Sequence, residues 1–435
     1  MAAESGGEPA GARSAGGRGD AGPASPRVTV SLVTFQGMRW LPGCLASLRR
    51  QTLADYELLV VENASTDGTV ERLRAASATD ARIELHESPV NLGFARAHNR
   101  NIFRARGRYV CLLNQDVELD DAFLHEAVAA FEAGDRIGAV QARLRRLAQD
   151  GTRTRILDGT GLEMHRDRRV VSRSQGEPDG PEHLRPGPVW GADGPAPIYR
   201  GAALLDARVP RRGGGWEVLD EDFFMYKEDV DLAWRLRRLG WRTWYAPRAV
   251  AWHARGAGGD RAATLLDIAR TNRRIPRWVK ALSWRNQRLM QVKNDRFSEF
   301  VRDLPWIARR EVLSLGFMIV ADPRRLRAVP ALIAAFPGAV RKRMYLGRRR
   351  SVRPNQRSPG LPGKHERRRI DPCRSACDVS RRDCLAPPAT AERVEGRNER
   401  GRGQRRRPVG AETIARAGED PDADRKDRAL GDRCW

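Results

Sequence analysis

The chain has 435 residues, a formal net charge of +24 and a hydrophobic content of 40%, which allows one large domain or two modest ones. Six cysteines with no Cys-x-x-Cys pair argue against a disulfide scaffold or a zinc ribbon and fit a reducing cytoplasm. The basic excess points to polyanions: nucleic acid, an anionic membrane or phosphorylated substrates.

Residues 1–26 are mostly Gly, Ala, Pro and Ser without an apolar run. They read as a disordered arm rather than a secretory signal. Folded sequence begins at Arg27. Val28 to Phe35 is a β-branched apolar strand, and Trp40 to Arg50 has helical spacing. Tyr56 to Val61 is a second strand, running into the turn-forming segment Glu62 to Gly68. Ser65 or Thr66 can cap a helix over Thr69 to Ala76. A short strand over Arg82 to His86 follows. Asn91-Leu92-Gly93-Phe94 then opens a helix that ends near Gly107. Arg108 to Leu113 is another buried strand, ending at Asn114-Gln115-Asp116. A helix over Asp121 to Phe131 and an extended stretch over Ile137 to Leu144 complete the run. Strands alternating with helices imply a largely parallel sheet with ligands beyond its carboxyl edge.

From Gly151 to Val189 the pattern weakens, and the segment reads as a long, partly mobile loop. Order returns over Pro197 to Val209. Glu228 to Leu239 is helical, and Trp241 to Trp252 is extended and ends at His253. Residues 265–347 read as helical and basic. Leu313 to Ala321 and Val329 to Val340 are its most apolar stretches. Neither reaches the roughly 18–20 apolar residues of a spanning helix, so both suit a peripheral surface helix. After Ser351 the Arg/Pro/Gly-rich tail reads as disordered.

Chemistry-bearing residues gather at the strand ends. Asp116 suits a hard cation shared with substrate phosphates, or a cap for the helix near Asp121. Six carboxylates lie between Asp220 and Asp231. Glu228 and Asp229 read as a general base with its neighbour, or as first-turn helix acids. His253 can complete a metal shell or be structural. Asn63 and Asp67 can read a base or ribose, or form an ordinary Asx turn.

Taken together, VTVSLVTFQ, VVENASTDGTVE, NLGFARAHNRNI, LLNQDVELDD, GAALLDARV, DEDFFMYKEDVDLAWRLRRLGW and AWH resemble the family 2 glycosyltransferases, rhamnosyltransferase-like branch. The resemblance implies an α/β fold of GT-A type, a mostly parallel sheet flanked by helices, over residues 27–255. A helical, basic and membrane-peripheral extension would occupy 256–350, with disordered termini at 1–26 and 351–435. It implies an inverting transfer of sugar from a nucleotide-diphospho-sugar donor to a glycan or lipid-linked acceptor, assisted by Mg2+ or Mn2+.

Carried over by position, Thr34, Glu62 and Asp67 line the nucleotide site, together with Asn63 and Asn114. Asn91, Gly93 and Asn99 shape the wall behind it. Asp116 and His253 hold the metal, and Asp229 is the base with Glu228 beside it. Asn114 stands where many relatives carry Asp, and Lys227 stands where a small residue is common. The implied setting is cytoplasmic, at the inner face of the cell membrane, in cell-envelope polysaccharide assembly. Nucleic acid is not expected as a partner. Two other readings stand beside this one. A nucleotidyltransferase would need a Gly-rich loop that Gln36 to Arg39 does not supply. A non-catalytic polyanion or membrane binder would survive loss of Asp116 and Asp229.

Overall fold

The computed structural model describes residues 25–255 and 275–349. The expected arm and tail, including Cys373, Cys377, Cys384 and Cys434, lie outside the described residues. The first half follows the expected alternation: β1 (Val28–Thr34), α1 (Leu41–Arg49), β2 (Tyr56–Glu62), α2 (Thr69–Thr79), β3 (Ile83–Glu87), α3 (Gly93–Arg104) and β4 (Tyr109–Asn114). β5 (Val117–Leu119), α4 (Phe123–Ala129) and β6 (Ile137–Leu147) follow. β1 is parallel to β2 and β4, and β2 is parallel to β3. The strands are apolar on both faces because helices cover both. Cys44 and Cys111 are buried free thiols, as their apolar settings suggest.

The segment expected as a loop is folded instead. It forms β7 (Arg153–Gly159), β8 (Leu162–Met164), β9 (Val170–Ser172) and β10 (Gly187–Val189). Its charges hid this, because they pair with partners distant in sequence. Arg143 and Arg145 both meet the buried Asp179. Arg168 pairs with Asp295 and Asp303 at 2.7 and 2.9 Å.

Beyond it come β11 (Ile198–Arg200), α5 (Gly201–Asp206), β12 (Val209–Pro210), β13 (Trp216–Glu217), α6 (Glu228–Arg238) and β14 (Arg242–His253). The main sheet runs β10-β14-β6-β11-β4-β1-β2-β3, with β5 beside β14 and β7 beside β6. β11 is antiparallel to both β4 and β6, while β6 and β14 are parallel. The sheet is therefore mixed, with its parallel half where the sequence pattern is clearest.

Three helices close the described chain: α7 (Arg277–Asn294), α8 (Phe297–Ala321) and α9 (Ala328–Arg348). Among the described residues no helix is long and apolar enough to cross a membrane.

Candidate active site

The carboxyl ends of β1, β2 and β4 meet as the alternation requires. Gln115 fixes two of them by a double hydrogen bond. Its Oε1 accepts from the Phe35 N–H at 2.9 Å, and its Nε2 donates to the Phe35 carbonyl at 2.9 Å. Ser65 and Thr66 do not cap α2, whose N-cap is Gly68 with φ +91°. Their hydroxyls instead accept from the backbone and side chain of Gln36. Asp67 takes over the helix start, accepting from the Thr69 N–H and hydroxyl.

The expected nucleotide-side residues divide by whether their polar atoms are already used. Glu62 is buried, and its carboxylate accepts from the Ala64 and Ser65 N–H groups. Asn63 Oδ1 accepts from Leu92 N–H, and Asn91 Oδ1 from Gly93 N–H. Asn99 is consumed entirely by the 218–221 segment. It accepts from the Val218 and Leu219 N–H groups and donates to the Leu219 carbonyl and to Glu221. It fixes the wall and offers no free polar atom. Gly93 has φ +76°, and a Cβ there would come within 2.5 Å of the Phe224 ring. Thr34 Oγ1 and Asn114 Oδ1 differ from all of these: each is buried without a hydrogen-bond partner. They end neighbouring strands β1 and β4, at the edge where a ligand would satisfy them.

Asp116 and His253 converge through sheet pairing. His253 lies opposite Val117 across β14 and β5, and the Ala254 N–H bonds the Asp116 carbonyl at 2.9 Å. The Asp116 carboxylate is 3.4 Å from His253 Nε2. On the other ring face, Nδ1 meets the fully buried Asp158 at 2.8 Å. Arg255 also contacts Asp158. Burial disfavours the imidazolium, but Asp116 and Asp158 more than reverse this and hold His253 up to about 10. Among the described residues no cluster of three or more His, Cys, Asp or Glu is arranged to hold a metal alone. Once a cation displaces the proton from Nε2, the pair would form a two-ligand corner with a carboxylate behind the histidine, a donor set that fits a divalent cation completing its shell on phosphate oxygens.

Asp229 stands in the first turn of α6, after a strained loop. Phe224, Tyr226 and Lys227 have φ of 64°, 68° and 74°, each costing on the order of 1 kcal/mol or more. α7 offsets this. Asn286 Nδ2 donates to the Phe223, Met225 and Tyr226 carbonyls at 2.9–3.0 Å, and Arg285 donates to the Asp222 carbonyl. The Phe224 carbonyl in turn accepts from Phe94 and Ala95 at the start of α3.

Burial, then the nearby Asp193, push the Asp229 carboxyl up to about 6. Burial and Asp229 push Glu228 up to about 8, and Glu228 Oε2 is buried without a partner. Lys227 lowers Asp229 without overcoming these effects. A Cβ on Gly194 would lie 3.3 Å from the Asp229 carboxylate, and the next residue, Pro195, accepts from the Asn114 N–H. Gly194-Pro195 thus links the Asp229 carboxylate to the carboxyl end of β4.

Sequence reasoning did not single out Asp158, Asp193 or Asn286. Asp158 follows an apolar pair, Ile156-Leu157, which is a strand signal inside the supposed loop. Asn286 carried no local signal.

A parallel half-sheet with unpartnered polar atoms and carboxylates at its edge is the arrangement in which α/β enzymes hold nucleotides. Residues 29–187 match the family model described as glycosyl transferase family 2. Over 262 residues the chain is 29% identical to the N-acetylglucosaminyl-diphospho-decaprenol L-rhamnosyltransferase of Mycobacterium tuberculosis, covering 54% of this chain and 79% of that one. It is 33% identical over 109 residues to a PGL/p-HBAD biosynthesis glycosyltransferase of Mycobacterium bovis, covering 25% and 42%. The S. aureus TarS 1–349 structure with UDP-GlcNAc aligns at a TM-score of 0.44 and 15% identity, covering 72% and 82%, too distant to carry weight. Residues 29–187 thus carry a family 2 glycosyl transferase domain, which favours sugar transfer over the other enzyme class.

Proposed function

We propose that this glycosyltransferase moves a sugar, with rhamnose favoured, from a nucleotide diphosphate to a hydroxyl of a glycan or lipid-linked acceptor, with inversion, in cell-envelope polysaccharide synthesis. The rhamnosyltransferase of M. tuberculosis supports the donor and acceptor class. The observation that carries the chemistry is the link through Gly194-Pro195 between Asp229, with its raised carboxyl, and the end of β4, beyond which Asp116 and His253 meet.

Thr34 Oγ1 and Asn114 Oδ1 take hydrogen bonds with the nucleotide, which ends their burial without partners. Asp116 and His253 would hold Mg2+ or Mn2+, which when bound neutralises diphosphate charge and makes the diphosphate a better leaving group. Asp229 accepts the proton of the acceptor hydroxyl as its oxygen attacks the anomeric carbon opposite the diphosphate. Glu228, protonated at neutral pH, leaves Asp229 as the ionised member of the pair. The setting is the cytoplasmic side of the membrane, with peripheral contact to anionic lipid.

The direct test offers the full chain a panel of nucleotide sugars with Mn2+ and measures nucleotide diphosphate released. Asp116→Ala is expected to lower turnover at least about 10²-fold, and undiminished turnover would overturn the metal assignment. A second variant probes the histidine. Asp158→Asn is expected to weaken Mn2+ binding, read by calorimetry without substrate, by about 10–100-fold. Unchanged Mn2+ affinity would show that Asp158 does not orient His253.

A further inference from the structure

The second half of α8 and the outer face of α9 are apolar and uncovered among the described residues. Val312, Leu313, Ile319 and Val320 are 70%, 62%, 56% and 84% exposed, and Ile333 on α9 is 66% exposed. Scattered exposed apolar side chains are ordinary in proteins, but Val312 and Leu313, with Ile319 and Val320 seven residues on, share one face of α8.

The first half of α8 is held differently. Asp303 is buried against Arg166 and Arg168, Glu311 pairs with Arg288, and Arg310 donates to the Asp167 carbonyl. Past Glu311 these anchors thin to one long contact, from Arg288 to the Ser314 hydroxyl at 3.4 Å. Met318 is the one buried side chain between Val312 and Val320. The helix is pinned at its start and then projects an apolar end.

Charge identifies the occupant. From Val312 to Arg349 the sequence holds one carboxylate, Asp322, and it is committed to Arg325 at 3.0 Å. Arg324 and Arg327, in the turn between the helices, are exposed and without an ion pair among the described residues. A second copy of the chain would set these arginines against one another with no acid to receive them. An apolar projection collared by cations suits the interface of an anionic bilayer, where the side chains enter the acyl boundary and the guanidinium groups meet lipid phosphates.

We propose that Val312–Val320 of α8, with Ile333 of α9 and the Arg324–Arg327 collar, docks the enzyme in the interface of an anionic lipid bilayer. The proposal rests on and deepens the lipid-linked acceptor reading above, because an enzyme held at a bilayer shares the surface on which such an acceptor resides. It does not depend on which sugar moves.

The test is vesicle flotation of the full chain, without donor, on phosphatidylcholine vesicles containing about 30% phosphatidylglycerol. The chain's net charge of +24 favours anionic vesicles by itself, so the decisive arm is run at about 0.5 M salt, where screening shortens charge effects to about 4 Å. Wild type is expected to remain vesicle-bound there. Ile319→Asp with Val320→Asp is expected to lower the bound fraction at least about tenfold, with an unchanged thermal melt. Ile319→Ser with Val320→Ser gives an intermediate loss and guards against a folding defect. Arg324→Gln with Arg327→Gln is expected to weaken binding to anionic vesicles and not to pure phosphatidylcholine. Equal flotation of wild type and the Asp pair would overturn the proposal. So would a wild-type dimer in light scattering that the Asp pair dissolves, which would make this face a contact between copies. Nucleotide diphosphate release in detergent is measured alongside. Its loss in all proteins would count against the sugar-transfer reading and leave the flotation result standing.

Discussion

Asp229→Asn is expected to lower kcat by about 10²–10⁴-fold with little change in KM for the donor, because asparagine keeps the shape and cannot accept a proton. Glu228→Gln is expected to cost far less, within about tenfold, since glutamine mimics the protonated acid. Rates of nucleotide diphosphate release by the two variants, under saturating donor, decide which carboxyl is the base. The wild-type rate should rise with pH through about 6, as the Asp229 carboxyl gives up its proton.

The same shift has a stability consequence of opposite sense. A carboxyl raised in the folded state holds its proton more tightly there than in the unfolded chain. Its contribution is present below the unfolded value near 3.8 and is lost as pH rises through about 6. Asp229→Asn removes that burden and is expected to stabilise the protein above pH 6, on the order of 1–3 kcal/mol, read by urea unfolding at pH 5 and pH 8. An inactive variant that is also more stable marks a residue kept for chemistry. A variant that is inactive and less stable above pH 6 would instead assign Asp229 a structural role.

What the sequence makes legible follows from how local the signal is. β1, β2 and β4 are continuous β-branched runs, so both the strands and the polar residues at their ends can be placed. Asp116, Asp229 and His253 stand at such ends or at a helix start. Asn99 belongs to the same motifs, yet its amide is spent on Val218, Leu219 and Glu221, some 120 residues away. Motif position cannot tell a residue that touches ligand from one that holds the loop that does. The 151–189 segment is misjudged for a related reason. Its Arg168 looks solvated in sequence, yet its acids are Asp295, just after α7, and Asp303 of α8, while the segment's own Asp179 is met by Arg143 of β6. The basic character of 275–349 misleads in the same way: Lys293 and Lys342 are among the most deeply buried side chains of the protein.

Lys342→Met is accordingly expected to be the most destabilising of these substitutions, by about 3–5 kcal/mol. Its ammonium on α9 reaches Asp220 at 2.5 Å, Glu217 at 2.6 Å and Asp222 at 2.7 Å. Lys293 on α7 meets Asp220 and, at 2.9 Å, Asp231, which also binds Arg235 within α6. Burial and Asp220 already push Glu217 up to about 7. Burial also opposes the charge of Asp220, but the two lysines overcome it and hold that carboxyl far below the usual range. Without Lys342, three carboxylates share one remaining lysine, and methionine fills the space without answering the charge.

The defect should be worst above pH 7 and ease on acidification, as Glu217 takes up a proton and one of the repelling charges disappears. Glu217→Gln in the Lys342→Met background is expected to restore part of the lost stability in thermal melts at pH 8. Failure of that rescue would mean that lost packing, not unanswered charge, causes the defect. Turnover should fall as well, because the gripped acids run directly into the strained loop whose end sets Asp229. The acids from Glu217 to Asp231 thus serve two needs: Glu217, Asp220, Asp222 and Asp231 are gripped by lysines of α7 and α9, while Glu228 and Asp229, both with raised carboxyls, stand at the start of α6 outside that grip.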